Sequence, residues 1–511
     1  MPTPGPLTSA WSDLQRLSAG RSSFNLREAF AEDRQRGERF ICHAAGLDLD
    51  LSRQLLDSEL LHSLCKLADQ VGLSAAIDSM WAGDPVNTTE RRAAWHVMLR
   101  HPGGPKSPKI VESVLAERER MLEFAELIRR SGEFDLVVNI GIGGSDLGPR
   151  LGVEALAAAG TPRVRFVSNV DGVALHDLLL DANPNRTLFI ICSKTFSTHE
   201  TMSNAALARD WLVGCLGSDA VARHFAAVST NSRAMDEFGI AEDRRFLFWD
   251  WAGGRFSVWS SIGIALAIAI GKDSFLRFLS GAHTMDEHFR CATWSKNLPV
   301  LMALVGIWNI NFLKIPTLAI LPYSDRLSKF PSFLQQLEME SNGKTVLHDG
   351  SPALCETAPI VWGASGNDGQ HSFYQLLHQG VLLAALDFIL LERSPVGLAR
   401  QQQFANVHAL AQIEAFAIGE GEVIGHRFHH GARPQSLIVI DELIPERLGA
   451  LMAAYEHKVY AQSVVWGINA FDQFGVELGK RHCMQMLHSL DSATVSDETT
   501  VARWLRREIS E

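Results

Sequence analysis

The amino-acid sequence predicts an α/β fold built from two units, each a largely parallel sheet wrapped by helices. Short apolar runs alternate with helix-length segments, as crossover connections between parallel strands require. This alternation begins a second time after about residue 271. The chain has 511 residues, of which 46% are hydrophobic and 21% charged, and it can therefore bury large cores.

The elements follow one another in a simple order. Residues 21–100 have a helical pattern, which ends at the breaker sequence HPGGP. A first series of apolar runs predicts strands at residues 136–140, 164–167, 188–192, 225–228 and 246–248. A second series predicts strands at residues 318–321, 360–362 and 437–440, among long helices. The apolar segment 258–270 is too short to cross a bilayer and predicts a core helix.

From this order we predict four regions. They are an N-terminal helical region (1–104) that packs on the larger domain, a first, smaller α/β domain (105–271), a second, larger α/β domain (272–485) and a C-terminal arm (486–511). In open sheets of this kind, ligands bind outside the carboxyl ends of the strands. We therefore look for chemistry at those ends.

Composition excludes several classes of function. The formal net charge of -11 argues against a broad surface for nucleic acid. The seven cysteines are scattered without zinc-binding spacing, which is typical of reduced thiols in a cytosolic protein. Residues 1–20 carry no secretory signal pattern. The sequence thus predicts a cytoplasmic protein with no metal site, no membrane segment and no nucleic-acid partner.

A glycine-rich loop, NIGIGGSDLGP at residues 139–149, follows a predicted strand and precedes a predicted helix. Glycines let the backbone approach a ligand and direct several N–H groups at it. A tight connection and a dinucleotide site remain as alternatives. The second is disfavoured because the G-x-G-x-x-G spacing is not met.

A second polar strand end, SKTFSTHET at residues 193–201, gathers hydroxyls and one ammonium group. Ser197 and Glu200 fit a capping box that opens a helix, and a helix start suits a phosphate dianion. The candidate phosphate ligands are Ser193, Lys194, Thr195 and Thr198. In the alternative, Ser197 only caps the helix and Lys194 is solvated.

Glu340 stands at a helix position that is unfavourable for a carboxylate. In PSFLQQLEMESNG, residues 331–343, an amphipathic helix runs into Asn342-Gly343, which predicts a left-handed C-cap. Glu340 then lies in the last turn, where the helix dipole disfavours its negative charge, as suits a general base near neutrality. The alternative is an exposed glutamate with a small helix penalty.

Three further candidates depend on their context. His371 follows a glycine-rich turn, and we predict one helix that carries both it and His378, the latter as a core residue. Arg255 follows a double glycine and could stabilise negative charge or only hold a turn. Lys480 ends a helical pattern and by itself is a routine C-terminal helix lysine.

Taken together, seven segments resemble the signatures of the phosphoglucose isomerase family, in the family's order. They are residues 87–96, 141–149, 193–201, 253–260, 335–344, 366–380 and 462–480. The resemblance implies two doubly wound sugar-isomerase (SIS-type) sandwich domains. It also implies interconversion of glucose 6-phosphate and fructose 6-phosphate without a cofactor or metal.

The resemblance further implies a role for each matching residue. Glu340 corresponds to the general base that moves a proton between C2 and C1 through a cis-enediol, and Arg255 to the arginine that stabilises the enediolate. His371 and Lys480 correspond to the ring-opening pair, with the histidine supplied by the partner subunit of a homodimer. The positions that line or flank the sugar phosphate are Gly144, Ser145, Ser193, Lys194, Thr195, Thr198, Gln336 and Gln473.

Two segments depart from the family pattern. His199 stands where the family usually has glutamine, so contacts near the phosphate could differ. Residues 47–52 lack the expected polar and aromatic residues. Two alternatives stay open. One is a related isomerase that also accepts mannose 6-phosphate, and the other is a non-catalytic sugar-phosphate binder. Loss of Glu340 would be the expected mark of such a binder, and Glu340 is present.

Overall fold

The computed structural model describes residues 2–19, 24–100, 108–157, 162–421, 425–491 and Trp504. The chain divides into a large unit, Met1–Ala470, and a C-terminal unit, Phe471–Glu511. Two sheets of five and six strands lie in the large unit, and their parallel strands confirm the predicted α/β class. The breaker sequence at residues 101–105 lies outside the described residues, and the predicted domain boundaries remain predictions.

The N-terminal region is mostly helical and also carries a β-hairpin that the sequence pattern did not indicate. Its elements are α1 (Ser9–Ala19), α2 (Leu26–Glu32), α3 (Arg36–Arg39), β1 (Ile41–Ala44), β2 (Leu47–Asp50), α4 (Ser58–Gln70) and α5 (Leu73–Ala82). In β2, buried Leu47 and Leu49 alternate with half-buried Asp48 and Asp50, because one face of the strand covers the core.

The first sheet confirms the strands predicted between residues 136 and 248. Its strands are β3 (Leu136–Ile140), β4 (Arg163–Val167), β5 (Thr187–Cys192), β6 (Phe225–Val228) and β7 (Arg245–Phe246). They lie in the order β4-β3-β5-β6-β7, and each neighbouring pair is parallel. Every residue of β3 and β5 is buried, as expected of a sheet covered on both faces.

The first helix of this region precedes β3 in the sequence, and the helices after it lie in the crossover connections between the strands. In order, the helices are α6 (Pro108–Ser131), α7 (Leu147–Leu156), α8 (Val173–Leu180), α9 (His199–Leu216), α10 (Val221–His224) and α11 (Ser232–Phe238). Helix α7 begins at Leu147, within the glycine-rich segment, and α9 begins at His199, within the second polar segment. Both loops therefore end at helix N-termini, as the sequence predicted.

The second sheet has the order β1-β2-β11-β10-β8-β9. Strands β8 (Thr317–Pro322), β9 (Ile360–Gly363), β10 (Ala385–Leu391) and β11 (Gln435–Ile440) are parallel, and the N-terminal hairpin adds to β11 in antiparallel fashion. Strand β10 was not predicted. Its unbroken burial gives no alternating pattern, and such a run cannot be told from a buried helix by periodicity.

The remaining helices of the large unit follow α11 in the sequence. They are α12 (Ile264–Ile270), α13 (Lys272–Cys291), α14 (Leu298–Ile307), α15 (Phe330–Leu334), α16 (Gly366–Gln370), α17 (Tyr374–Gln379), α18 (Ala399–Ile418) and α19 (Pro445–Trp466). Helix α12 confirms the core helix predicted within residues 258–270. Helix α19 is buried along its last nineteen residues, from Leu448 to Trp466, and forms the centre of the unit.

Helices α13 and α19 cross at two glycines. A Cβ atom on Gly281 would lie 1.9 Å from the carbonyl oxygen of Glu446, and one on Gly449 would lie 2.1 Å from that of Phe278. Neither backbone can withdraw without separating the two helices. The close crossing therefore depends on the missing side chains.

Gly281→Ala is expected to destabilise the protein by about 1–3 kcal/mol or more, because the new methyl group forces two buried helices apart. Thermal unfolding measures the effect as a lower Tm. Gly214→Ala is the matched control, since a Cβ there meets nothing within 4 Å and alanine favours a helix. Equal Tm values for the two variants would contradict this account of the crossing.

The C-terminal unit, within its described part, consists of a short 3₁₀ turn, Phe474–Val476, and helix α20 (Glu477–Asp491). The side chains of α20 that the structure describes are largely exposed. Of all the helices in the described ranges, none is both long enough and apolar enough to span a membrane.

Candidate active site

The glycine-rich loop lies against the turn that carries Arg255. The loop forms a 3₁₀ turn, Gly143–Ser145, directly after β3, and Gly143 has a φ of 60°. A Cβ on Gly144 would lie only 2.0 Å from the carbonyl oxygen of Gly254. The Asn139 amide donates to the Ser145 carbonyl oxygen at 3.0 Å and holds the loop closed. Glycine at position 144 is thus required for this backbone contact.

The second polar loop continues β5, the neighbour of β3. The hydroxyls of Ser193 and Thr198 lie 3.2 Å apart, and Ser197 donates to the Thr195 hydroxyl at 2.8 Å. Between them, buried Phe196 adopts a left-handed φ of 53°, a conformation that costs free energy for a bulky residue. The strained turn gathers the hydroxyls at one end of the strand.

The predicted capping box at Ser197 is wrong. Helix α9 begins at His199 with Thr198 as its N-cap residue, and no side chain of the described residues caps it. Ser197 cannot do so because its hydroxyl is turned toward Thr195. The first N–H groups of α9 lack a side-chain cap, and a helix start of this kind attracts anions.

Lys194 is half-buried rather than freely solvated. Its ammonium donates to the Asp250 carbonyl oxygen at 3.2 Å and lies 5.4 Å from the centre of the Phe248 ring. Burial, and secondarily the nearby Arg92 charge, lower the pKa of Lys194. An anionic ligand would offset both the cost of burying the ammonium charge and its repulsion from Arg92. This lysine is therefore better suited to bind phosphate than a surface lysine.

Arg255 is held rigidly inside the protein. Its Nε donates to the Ser341 hydroxyl at 2.6 Å, and Nη2 donates to the Ala470 carbonyl oxygen at 2.5 Å. The side chain is only 2% exposed. Two fixed hydrogen bonds leave the position of the guanidinium charge little freedom, as electrostatic stabilisation of a reacting group requires.

Glu340 faces Arg255. One carboxylate oxygen, Oε2, lies 3.7 Å from Arg255 Nη1, and the glutamate side chain remains 21% exposed. This oxygen is buried, and no described residue forms a hydrogen bond with it. The carboxylate therefore combines access to solvent with an unoccupied acceptor, an arrangement suited to a general base.

Glu340 ends a π-helical stretch, Gln335–Glu340, that directly continues α15. π-Helical turns are rare and occur frequently at functional sites. Gln336 stands at the start of this stretch, where its amide nitrogen would lie 3.1 Å from a Cβ on Gly143. The stretch thus places Gln336 beside the glycine-rich loop.

The predicted left-handed C-cap at Asn342-Gly343 is wrong, since neither residue has a positive φ. Asn342 is instead fully buried and donates to the Val459 carbonyl oxygen at 3.1 Å. Lys344 caps the helix end, because its ammonium donates to the carbonyl oxygens of Glu340 and Ser341 at 2.9 and 2.8 Å. Glu340 does lie in the last turn, as predicted.

His371 is exposed and follows α16 as its C-cap residue. A turn separates it from α17, so the single helix predicted to carry both His371 and His378 is wrong. His378 is half-buried, lies 2.8 Å from a Gln412 side-chain oxygen and stacks on Phe416, which confirms it as a structural residue. The structure leaves the role of His371 a prediction.

Lys480 and Gln473 belong to the C-terminal unit. Lys480 is an exposed residue of α20, and Gln473 directly precedes the 3₁₀ turn of that unit. Their predicted roles therefore remain predictions.

Sequence reasoning did not single out Ser341 and Lys344, which respectively fix Arg255 and cap the helix of Glu340. Their only signal was proximity to Glu340 in the sequence. Within the part of the chain that the structure describes, no group of histidine, cysteine, aspartate and glutamate side chains is arranged to hold a metal ion.

Residues 50–503 match the family model described as phosphoglucose isomerase. The chain belongs to the phosphoglucose isomerase family. A relative named glucose-6-phosphate isomerase from Gloeobacter violaceus is 45% identical over 96% of this chain and 94% of its own. Another of that name, from Deinococcus deserti, is 46% identical over 98% of both chains. The predicted resemblance is thereby confirmed.

One solved structure agrees with the family assignment, and a second shares the fold. The crystal structure of a glucose-6-phosphate isomerase from Chlamydia trachomatis has a TM-score of 0.91 to this chain, with 31% identity over 99% of both chains. A hypothetical protein from Thermus thermophilus has a TM-score of 0.69 at 24% identity, covers 86% of this chain and 99% of its own, and shares the fold. The fold class predicted from the sequence is confirmed.

Proposed function

We propose that the chain is an enzyme that interconverts glucose 6-phosphate and fructose 6-phosphate. The observation that carries the proposal is the Glu340–Arg255 arrangement, in which a partly exposed carboxylate with an unoccupied oxygen faces a fixed, buried guanidinium. Relatives that cover almost the whole chain bear the name of this enzyme. The reaction belongs to glycolysis and gluconeogenesis.

The proposed chemistry needs only proton transfer. Glu340 removes the proton from C2 of the open-chain aldose and returns it to C1, so that a cis-enediol lies between the two sugars. Arg255 stabilises the negative charge that develops on the enediolate oxygens. Because oxidation of one carbon accompanies reduction of its neighbour, no external electron acceptor or cofactor is needed.

The phosphate is proposed to bind where the two polar loops meet. Strands β3 and β5 are parallel neighbours, so their carboxyl ends share one edge of the sheet. The two loops lie close together here, because a Cβ on Gly141 would lie only 3.1 Å from the Cys192 carbonyl oxygen. The proposed ligands are Gly144, Ser145, Ser193, Lys194, Thr195 and Thr198, with Gln336 and Gln473 flanking the sugar.

Lys194→Met is expected to raise KM for fructose 6-phosphate by about 10- to 100-fold, the value of a charged hydrogen bond. Because burial lowers the pKa of Lys194, the wild-type KM should begin to rise at a lower pH than for an exposed lysine. The rise should be absent from the variant. Steady-state kinetics across the alkaline range measure both effects. An unchanged KM would contradict the proposed phosphate site.

Ring opening is assigned to His371 and Lys480, with His371 reaching the site of a second copy of the chain. The exposed position of His371 supports this assignment. Leu376, Val381 and Leu382, which follow it, expose 49%, 90% and 74% of their surface and favour a homodimer contact there. Sedimentation equilibrium tests the dimer, and a fully active monomer would refute it.

We further propose that the enzyme works in the cytoplasm, since all seven cysteines are free thiols. A coupled assay with fructose 6-phosphate tests the proposed activity most simply. Production of glucose 6-phosphate is expected, and binding without turnover would instead favour a sugar-phosphate sensor. A parallel assay with mannose 6-phosphate decides whether the enzyme also accepts that aldose.

A further inference from the structure

Glu338, two residues before Glu340, is buried and paired. Its Oε2 accepts from the ammonium of Lys458 on α19 at 2.7 Å, and the two side chains are only 2% and 3% exposed. Its Oε1 accepts from the Asn342 amide at 3.2 Å. The same amide nitrogen also donates to the Val459 carbonyl oxygen. The Glu338 carboxylate and the Asn342 amide thus tie the helix of Glu340 to the central helix, one at Lys458 and the other at Val459.

The π-helical stretch makes this tie important. Side chains two residues apart on a helix point to roughly opposite sides, and here Glu338 faces α19 while Glu340 faces Arg255. A π-turn is less favourable than a regular α-turn and needs support from surrounding structure. The Lys458–Glu338 pair supplies such support in the middle of the stretch.

Lys458 lies beside Gly306 and next to a small cavity. A Cβ on Gly306 would lie 3.8 Å from Lys458 Cε and only 2.4 Å from Gln462 Nε2, so a larger residue would push the Gln462 amide aside next to Lys458. A cavity of about 30 Å³ adjoins Lys458 and is lined also by Asn309, Asp387 and Gln462. Its size suits one or two internal waters, for which Asn309, Asp387 and Gln462 offer polar partners among mostly apolar walls.

Stability alone does not explain a buried ion pair. The cost of removing two charges from water often exceeds their attraction, and apolar residues of similar volume can replace such pairs without loss of stability. A buried pair at this position, on the helix of the proposed base, therefore points to a positional role.

We propose that the Lys458–Glu338 pair positions the Glu340 carboxylate opposite Arg255. Both side chains are buried against each other and neither faces Arg255, so we assign them as positioning residues. The inference rests on the proposed isomerase function. It predicts that losing the pair slows proton transfer but leaves sugar-phosphate binding intact, because the phosphate ligands lie on other loops.

The test is the double variant Glu338→Met/Lys458→Met, which removes both charges and keeps similar volume. Its kcat for fructose 6-phosphate is expected to fall by about 100-fold, as for a small misplacement of a reacting group. KM and Tm should stay close to the wild-type values. Lys458→Arg, which keeps the pair and can extend into the adjoining cavity, should retain most of the wild-type kcat.

Tyr460→Phe is the matched control. It removes a buried hydrogen bond from α19 to the Ala76 carbonyl oxygen and leaves Glu338, Lys458 and Asn342 unchanged, so kcat should stay at the wild-type value. A folded double variant with wild-type kcat would overturn the inference. So would a fall in kcat matched by a rise in KM, since that indicates general damage to the site.

Should the double variant not fold, Glu338→Gln keeps the shape and weakens the pair. A lower kcat with unchanged KM supports the inference, and an unchanged kcat overturns it. Wild-type enzyme in the same assay separates the two proposals. If it has no isomerase activity, the proposed function fails, whereas an active wild type beside an equally active double variant removes only the positioning role.

Discussion

Glu340→Gln is expected to lower kcat by about 1,000- to 10,000-fold, because an amide cannot accept a proton from carbon. KM for fructose 6-phosphate should stay near its wild-type value, since the amide has the shape of the carboxylate and the proposed phosphate ligands are untouched. The Tm should also change little. No described residue donates a hydrogen bond to the buried Oε2, so the substitution removes none there.

Glu414→Gln is the control for this variant. Glu414 is an exposed residue of α18 whose contact with Arg53 lies on the surface, and the change there should leave kcat and KM as they are. Near-normal turnover in Glu340→Gln would show that another group moves the proton. A large rise in KM with little change in kcat would make Glu340 a binding residue instead.

Arg255→Met should reduce kcat by about 100- to 1,000-fold, the usual effect of removing one group that stabilises transition-state charge. It should also lower the Tm, because the Ser341 hydroxyl and the Ala470 carbonyl oxygen lose their donor inside the protein. Steady-state kinetics and thermal unfolding measure the two effects separately. Arg255 is thus expected to have both a catalytic and a structural part.

Arg255→Lys separates these two parts. Lysine keeps the positive charge but cannot reproduce the planar fork of donors that reaches Ser341 and Ala470 together. It should therefore recover some kcat relative to methionine while still unfolding at a lower temperature than the wild type. Arg447→Met, which breaks a partly exposed pair with Asp441, serves as the control and should leave kcat unchanged. Wild-type kcat in Arg255→Met would refute the proposed charge stabilisation.

Much of the fold could be predicted from local patterns. The strands of the first sheet are short apolar runs bounded by turns, and each is present in the structure. Strand β10 could not be predicted, because it is buried at every position and shows no periodicity. The hairpin β1–β2 could not be predicted for a different reason. Its strands have only four residues each, and their pairing with β11 depends on residues almost 400 positions away.

The sequence named candidate residues for the site but could not predict their geometry. Glu340 and Arg255 were chosen from different segments, and the structure brings their charged groups within 3.7 Å. Both helix caps were predicted wrongly, for different reasons. Asn342 donates to Val459 on α19, 117 residues further along the chain, so a distant contact overrides local preference. Ser197 instead donates to the Thr195 hydroxyl nearby. The Lys458–Glu338 pair, 120 residues apart, left no local signal at all.

A crystal structure of the Glu340→Gln variant with fructose 6-phosphate bound tests the central claim most directly. The account predicts the phosphate at the loop of residues 193–198 and the side chain of residue 340 within about 3.5 Å of both C1 and C2, as near-attack geometry requires. It also predicts the Arg255 guanidinium beside the sugar oxygens on those carbons. A bound sugar whose C1 and C2 lie beyond the reach of residue 340 would contradict the account.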